Sequence, residues 1–473
     1  MRQARIVVLG AGVTGLTCAH EIQKKAKASG NAVEVVVLEA SGRVGGKILT
    51  EIRDGVTYEA GPDSFISLKP QGLELARELG LESSLMPSDP GHTDLFVFSR
   101  GRMRRMPAGL KLVVPSRLIP FLMTDVLSWL GKLRVGLEPF IPAGSTEVDE
   151  SLGQFLRRRL GREALERIAA PLLAGIYAGD PEALSLDSTF PQLREMERQG
   201  GLIRSARRKV AGGAKASGGF SMFVSLKGGM SRMTEELRRG LPEGHVVLDS
   251  PVTRIERRGE YWRVHAKGGT FTADAVVSTL PAHAAAGVLE EQDLELACVL
   301  REIPFASTAT ASLLFGRKGF PRSLKGYGFI VPRTEGKSIS AATYVSSKFP
   351  ARVPDGKVLV RCFIGGAGRE APALQAEPLI AALARTELGE MLSLGGTEPE
   401  HVQVYRWPSS NPQYTVGHAM RLKRIESCVK GHRGLILAGC SYRGVGIPDC
   451  IQSGRAAAAK ALAALESKQA GVV

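Results

Sequence analysis

Long uninterrupted apolar runs are missing from these 473 residues. The apolar stretch over residues 107–142 is broken by Lys111, Pro115, Arg117, Pro120, Asp125, Lys132 and Arg134, so it falls short of the roughly 18 to 20 apolar residues of a spanning helix. Amphipathic helices that lie on a membrane or line an apolar pocket fit it better. Cysteine is scarce and scattered: Cys18, Cys298, Cys362, Cys428, Cys440 and Cys450 form no CxxC pair and have no histidine at ligand spacing. That argues against a zinc site and suits a reducing cytoplasm. None of the eight histidines forms an HExxH pair, so no metal is expected. Aromatics are only 6% and are not interleaved with the basic residues, which excludes a stacking nucleic-acid platform. Acidic residues are the minority charge, 47 against 62 Lys and Arg; the excess leaves an anionic membrane or an acidic substrate as partners.

What is present is a folded, globular composition, 44% hydrophobic and 23% charged, in a chain too long for one core. Residues 5–10 form a short apolar run that enters a glycine turn with no cleavage site behind it, and read as a strand, not a signal peptide. A helix over 13–29 and a strand over 33–38 follow, the beginning of a parallel sheet. Residues 252–255, 261–266, 270–272 and 275–280 suggest a small antiparallel sheet returning to the main one. Residues 309–315, 328–331, 338–344 and 357–364 suggest a second sheet. Residues 206–219 read as an exposed linker. The chain closes with a strand over 434–438, a glycine turn and an alanine-rich helix over 453–465. The expected fold is α/β: a discontinuous Rossmann-type domain from 1–90, 220–300 and 415–473, a mixed-sheet substrate domain over 301–414, and a helical, membrane-facing insertion over 91–219. The insertion holds 20 Lys and Arg against 13 Asp and Glu and is a candidate docking face, although a run such as Arg157-Arg158-Arg159 equally suits a solvated helix.

The chemistry begins at Gly10-Ala11-Gly12-Val13-Thr14-Gly15, between a strand and a helix. The first glycine makes the turn, the second lets a pyrophosphate approach the backbone, and the third lets helix pack on strand. Helix N-terminal amides then face the phosphates. Glu39, 24 residues after Gly15 and at the end of the next strand, is placed to accept ribose hydroxyls. The pattern continues through Ala40, Arg43, Gly45, Gly46 and Lys47, where an arginine and a glycine pair can hold distal phosphates. This resembles the large flavoprotein superfamily that includes amine oxidases and carotene desaturases, and favours non-covalent FAD over NAD. The segment from Gly439 through Val445, Gly446 and Ile447 resembles that superfamily's closing flavin segment.

Across its whole length the chain resembles the oxygen-dependent protoporphyrinogen oxidases. The resemblance rests on Gly61-Pro62-Asp63-Ser64-Phe65, on Ala174-Gly175-Ile176-Tyr177 with Gly179-Asp180-Pro181, on Phe363 to Ala367, on Arg406-Trp407-Pro408 with Pro412-Gln413-Tyr414 and Gly417-His418, and on Gly444 to Cys450. It implies flavin contacts at Gly61, Pro62, Asp63, Ser64, Val252, Trp407, Val445, Gly446 and Ile447. It also implies a backbone carbonyl at Gly175 facing the pyrrole N–H groups, with Ile330 and Phe363 sandwiching the macrocycle. Ile330 and Phe363 would equally serve as ordinary core, and His418 reads as structural.

The activity so implied is oxidation of protoporphyrinogen IX to protoporphyrin IX in haem biosynthesis, by three hydride transfers to FAD with release of hydrogen peroxide. Oxidation of coproporphyrinogen III is the alternative, and an amine oxidase or a non-catalytic binding protein on the same scaffold the remoter ones. The flavin supplies the reactivity and the protein positions it. The sequence departs from the family where an arginine pairs with a substrate propionate: Asp94 and Leu95 stand there, leaving Arg102, Arg104 or Lys111 as the cation. Expected partners are the porphyrinogen, O2, an anionic inner membrane face for a peripheral cytoplasmic enzyme, a downstream porphyrin-using enzyme and a second copy of the chain.

Overall fold

A computed structural model describes residues 3–30, 32–111, 113–144, 148–211, 221–321 and 324–470. Val-rich runs, whose charged residues Arg5 and Glu34 stand near the strand starts and pair with each other, form a parallel sheet buried on both faces, as such runs must. Its strand order is Val246–Val247, Val33–Leu38, Ala4–Leu9, Ala275–Ser278 and Leu435–Leu437. The helix Val13–Ser29 covers one face together with the C-terminal helix Ile447–Ala470. These two helices touch at Gly454, where a Cβ would lie 2.5 Å from the Thr14 carbonyl oxygen. The C-terminal helix starts six residues earlier than the alanine-rich stretch suggests, because Gly446 and Pro448 can both be accommodated in a first turn that needs no internal N–H partner. The antiparallel hairpins Val252–Arg258, Tyr261–Ala266 and Gly269–Ala273 form the expected small sheet, which hands the chain back to the parallel one.

The second sheet has seven strands in the order His401–Pro412, Phe305–Gly316, Lys357–Gly365, Ile339–Tyr344, Gly328–Ile330, Leu95–Ser99 and Arg102–Arg105. Its last two strands belong to the stretch read from sequence as helical insertion. Leu95–Ser99 pairs in parallel with Gly328–Ile330 and carries the edge strand Arg102–Arg105, so that helical boundary does not hold at residue 91. Period-two alternation sorts the faces. In Lys357–Gly365, Val358, Val360, Cys362 and Ile364 enter a core with the helix Glu377–Leu392, while Arg361 and Phe363 point the other way, toward the parallel-sheet unit.

Apart from a short hairpin, Leu110–Lys111 with Val114–Pro115, the rest of the insertion is mainly helical, with Leu152–Leu160, Ala170–Tyr177, Pro191–Arg198 and Leu202–Ala211 around one core. The linker expected over 206–219 is helical as far as Ala211, and its remainder lies outside the described residues. Arg157-Arg158-Arg159 is not one solvated face either. Arg157 is exposed and pairs with Glu182, Arg158 bridges Glu150 and Glu197, and Arg159 is buried against Glu138. The reason is helical spacing, since three successive residues cover most of a turn and one must face inward. Among the described residues no helix is long and apolar enough to cross a membrane.

Candidate active site

The glycine turn sits at the C-terminal end of the parallel strands, where doubly wound sheets bind ligands. Gly10 has φ +97°, in the left-handed region that favours glycine, and a Cβ on Gly15 would stand 2.0 Å from the Gly10 carbonyl oxygen. Gly12 is different: its Cβ would meet nothing within 4 Å. The two outer glycines are thus required by the protein's own backbone, whereas the middle one faces open space. Ala11, Val13 and Thr14 are buried. The Ala11 N–H donates to Glu39 Oε2 at 2.8 Å, and the other Glu39 oxygen accepts from the Ser41 N–H and hydroxyl. Ala40 is exposed beside it. The Ser250 N–H donates to the Glu39 carbonyl at 2.8 Å, which brings the start of the strand with Val252 alongside the acid.

The second glycine pair closes on the first. Gly45 donates to the Ala11 carbonyl at 2.8 Å, and a Cβ on Gly46 would touch Gly12 Cα at 3.3 Å. The Arg43 guanidinium braces this turn from within, donating to the carbonyls of Val44, Gly46 and Ile48. Lys47 reaches across to the Ser410 carbonyl and to Cys440 Sγ. A Cβ on Gly61 would overlap the Lys47 carbonyl oxygen at 1.7 Å, so Gly61 lies directly on the turn, with Pro62, Asp63 and Ser64 following it in the chain. The C-terminal segment meets it from the other side: Gly439, at φ +109°, donates to Ser453 Oγ at 2.9 Å, and Val445 and Ile447 join the neighbouring cores. Gly446 lies between them at the helix start.

Motifs far apart in sequence converge on this place. The Ala367 N–H donates to the Ala178 carbonyl at 2.7 Å, Gln413 Nε2 to the Tyr177 carbonyl at 2.9 Å, and Tyr414 Oη to the Cys440 carbonyl at 2.6 Å. Trp407 Nε1 donates to the Ala60 carbonyl at 2.9 Å. Ile330 and Phe363 occupy the same face of the seven-stranded sheet in one cross-strand row, each opposite Ala341 on the strand between them. With strands about 4.8 Å apart, the two larger side chains stand roughly 10 Å apart over a small one. Gly175 is exposed in the last turn of Ala170–Tyr177. An open groove of about 510 Å³ beside Arg43, Tyr405 and Trp407 borders the same region. His418 is buried, stacked on Tyr414 at 4.2 Å between centroids, with Nε2 against the Tyr442 carbonyl. It stands in the core, as a structural histidine does.

The model of the family described as flavin containing amine oxidoreductase matches residues 13–462. The chain belongs to that family. It is 36% identical to the coproporphyrinogen III oxidase of Bacillus subtilis, covering 98% of both chains. It is 30% identical to protoporphyrinogen oxidase 1 of Arabidopsis thaliana, covering 94% of this chain and 86% of the other. Among solved structures, a protoporphyrinogen oxidase homologue from Exiguobacterium superposes with a TM-score of 0.86 at 30% identity, over 98% of this chain and 100% of that one.

Membership of a flavin-containing family agrees with the cradle, whose middle glycine leaves the backbone open where the outer two are filled. Of the cations considered for a substrate carboxylate, Arg104 drops out: it is buried and bonded to Asp125 and the Ser99 carbonyl. Arg102 is exposed at a strand end, and the Lys111 side chain lies outside the described residues. Asp94 is paired with Arg105.

Sequence reasoning missed a buried ionic cluster behind residues 59–64. Lys348 Nζ lies 3.1 and 3.2 Å from the Asp63 oxygens, and Arg352 Nη2 lies 2.9 Å from Glu59 Oε1 and 2.8 Å from the Asp63 carbonyl. Arg361 Nη2 donates to the carbonyls of Ala60 and Gly61 at 3.0 and 2.6 Å. Burial alone would push the Asp63 carboxyl up, but Lys348, Arg352 and Arg361 together hold it below the usual carboxylate range. Burial raises Glu59 in spite of Arg352 and lowers Lys348 in spite of Asp63. Arg361 was the available signal, a charge in the middle of an apolar strand; nothing near Lys348 or Arg352 in sequence marks them.

Proposed function

We propose that the protein is an oxygen-dependent porphyrinogen oxidase that holds FAD non-covalently and converts coproporphyrinogen III to coproporphyrin III. The observation that carries the substrate is the end-to-end relation to a bacterial coproporphyrinogen III oxidase at 36% identity, against 28–30% for the protoporphyrinogen oxidases compared. This reverses the order of the two substrates expected from sequence. The missing family arginine at Asp94 and Leu95 is in keeping with a substrate whose four propionates are read by other cations.

The bound flavin would supply a two-electron acceptor that oxygen can regenerate. The protein's share is placement. Gly12 and Gly46 would admit the pyrophosphate, Glu39 would take the ribose, and Gly61, Asp63, Ser64, Val252, Trp407 and Val445 to Ile447 would line the cofactor. Ile330, Ala341 and Phe363, in one cross-strand row, would flank one flat ring with van der Waals contact on each side. Gly175 lies in a helix C-terminal turn, whose carbonyls lack intrahelical donors, and its carbonyl suits a pyrrole N–H. No side-chain base is needed, since ring aromatisation favours loss of that proton.

The first part of the insertion supports peripheral attachment to an anionic membrane. Ile119, Met123, Trp129, Leu130 and Phe140 are each 74–80% exposed, more large apolar surface than a monomer usually leaves bare. Replacing Trp129 and Leu130 by Ser should abolish co-sedimentation with anionic vesicles while leaving turnover in detergent intact; unchanged sedimentation refutes the attachment. The function itself is tested by anaerobic flavin reduction with coproporphyrinogen III, protoporphyrinogen IX and a primary amine in parallel. The first should be fastest. Preference for protoporphyrinogen overturns the substrate, and reduction by the amine alone overturns the reaction.

A further inference from the structure

The ionic cluster behind residues 59–64 is not electrically neutral. Lys348, Arg352 and Arg361 bring three positive charges and Glu59 and Asp63 two negative ones. All but Asp63 are at most 7% exposed, and its side chain is only 14% exposed. A buried excess charge is costly unless something opposite sits close by. The cations are also under-used as donors, for Arg352 Nε and Nη1 and Arg361 Nε are buried without a hydrogen-bond partner. Aromatic faces take part of the charge: Lys348 lies 4.5 Å from the centroid of Phe223, Arg352 4.7 Å from that of Phe349, and Arg361 4.8 Å from that of Phe363. Such contacts stabilise a cation without neutralising it.

The position of the excess is informative. Arg361 holds the two carbonyls of Ala60 and Gly61, and Gly61 is pressed against the Lys47 carbonyl of the second glycine turn. This segment thus lies between the cations and the place where the cofactor is proposed to lie. A hydride carries two electrons and a proton, so a neutral flavin ring that accepts one from the substrate gains one negative charge, while the substrate releases its N–H proton separately. The charge arriving at the site and the excess waiting behind it are equal and opposite.

We propose that Lys348 and Arg361, as positioning residues acting through residues 60–64, stabilise the negative charge of the reduced flavin and so raise its midpoint potential. The inference rests on the proposed placement of FAD against that segment. In a medium of low effective dielectric a unit charge acts over several ångströms with little screening, so direct contact is not required. The sign of the effect depends on charge alone, which separates it from a packing role.

The test is the two-electron midpoint potential of the flavin in purified holoprotein, measured by equilibrium titration against a reference dye. Lys348→Met should lower the reduction equilibrium at least tenfold, about 30 mV for a two-electron couple. Glu59→Gln, which removes a negative charge, should shift it the other way. Lys348→Arg should restore most of the native value. A cluster that only packs would move both charge variants in one direction or neither, and either result overturns the proposal. If Lys348→Met does not fold, the upward shift in Glu59→Gln decides alone. Native protein that takes up no flavin when FAD is supplied would overturn the cofactor reading, and this inference with it.

Discussion

The glycine cradle and the ionic cluster behind it lie on either side of residues 60–64 and are built in opposite ways. The cradle works by what is left out: at Gly12 the backbone is bare toward the place where a phosphate would come, and at Gly46 a side chain would press on Gly12 itself. The cluster works by what is put in, five charged side chains from segments up to 302 positions apart in the chain, set into a core. A cradle tolerates no added atom, and a cluster no lost partner. The difference teaches that the same few residues can be fragile to opposite kinds of substitution on their two sides.

The largest expected effect tests the cluster. Arg352→Met leaves Glu59 buried and unpaired and should cost about 3–5 kcal/mol, read from urea unfolding. Adding Glu59→Leu to it should recover most of that loss, since removing both charges leaves neither stranded; a double variant no better than the single would break the ionic account.

The next tests the cradle and sharpens the contrast between its glycines. Gly15→Ala forces a Cβ against a backbone oxygen and should destabilise the protein by about 1–3 kcal/mol. Gly12→Ala has no internal clash and should leave the melting temperature of flavin-free protein unchanged while sharply weakening FAD uptake, measured by titration. Full-strength flavin binding in Gly12→Ala would refute the assignment of that glycine.

The smallest effect is in the pH dependence. Asp63 has its folded value held below its ordinary 3.8. Its stabilising share is therefore complete above pH 3.8 and is lost as the pH falls through the depressed value. His418 acts at higher pH, because burial depresses it below 6.5: stability should fall as the pH drops from 6.5 toward its folded value, where the unfolded chain binds a proton that the folded chain refuses. Asp63→Asn should flatten the stability profile below pH 3.8, and His418→Gln the profile just below 6.5. Profiles identical to the native one would show that neither group carries the linkage.

The same contrast explains what could be read in advance. Gly10 to Gly15, Glu39 and the Gly45-Gly46 pair were legible because each requirement is local: a turn, a close approach, a strand end. The parallel sheet was legible for the same reason, since runs such as Ile6-Val7-Val8-Leu9 declare burial on both faces. The two strands in 95–105 were not, because Leu95–Ser99 is a strand through pairing with Gly328–Ile330, more than 220 positions away. Nor was the fate of the basic residues. Arg104, Arg158 and Arg159 look like surface charge in a count, yet each is spoken for by an acid or a carbonyl brought near only by folding. The +7 of the insertion therefore overstates what its surface offers, and the apolar side chains around Trp129 are its more distinctive feature.

The order of strands in the parallel sheet has a consequence for how the protein is made. Ala4–Leu9 emerges first, but one of its two neighbours, Ala275–Ser278, lies in the middle of the chain, and the next strand out, Leu435–Leu437, near its end. The helix that seals the cradle through Gly454 comes later still. Pairings of such long sequence separation form late. The fingerprint is thus translated more than 400 positions before the helix that completes it, so flavin uptake should wait for that helix to form. Uptake of flavin then doubles as a check on the product: a chain cut short before its last helix would carry the motif and remain colourless.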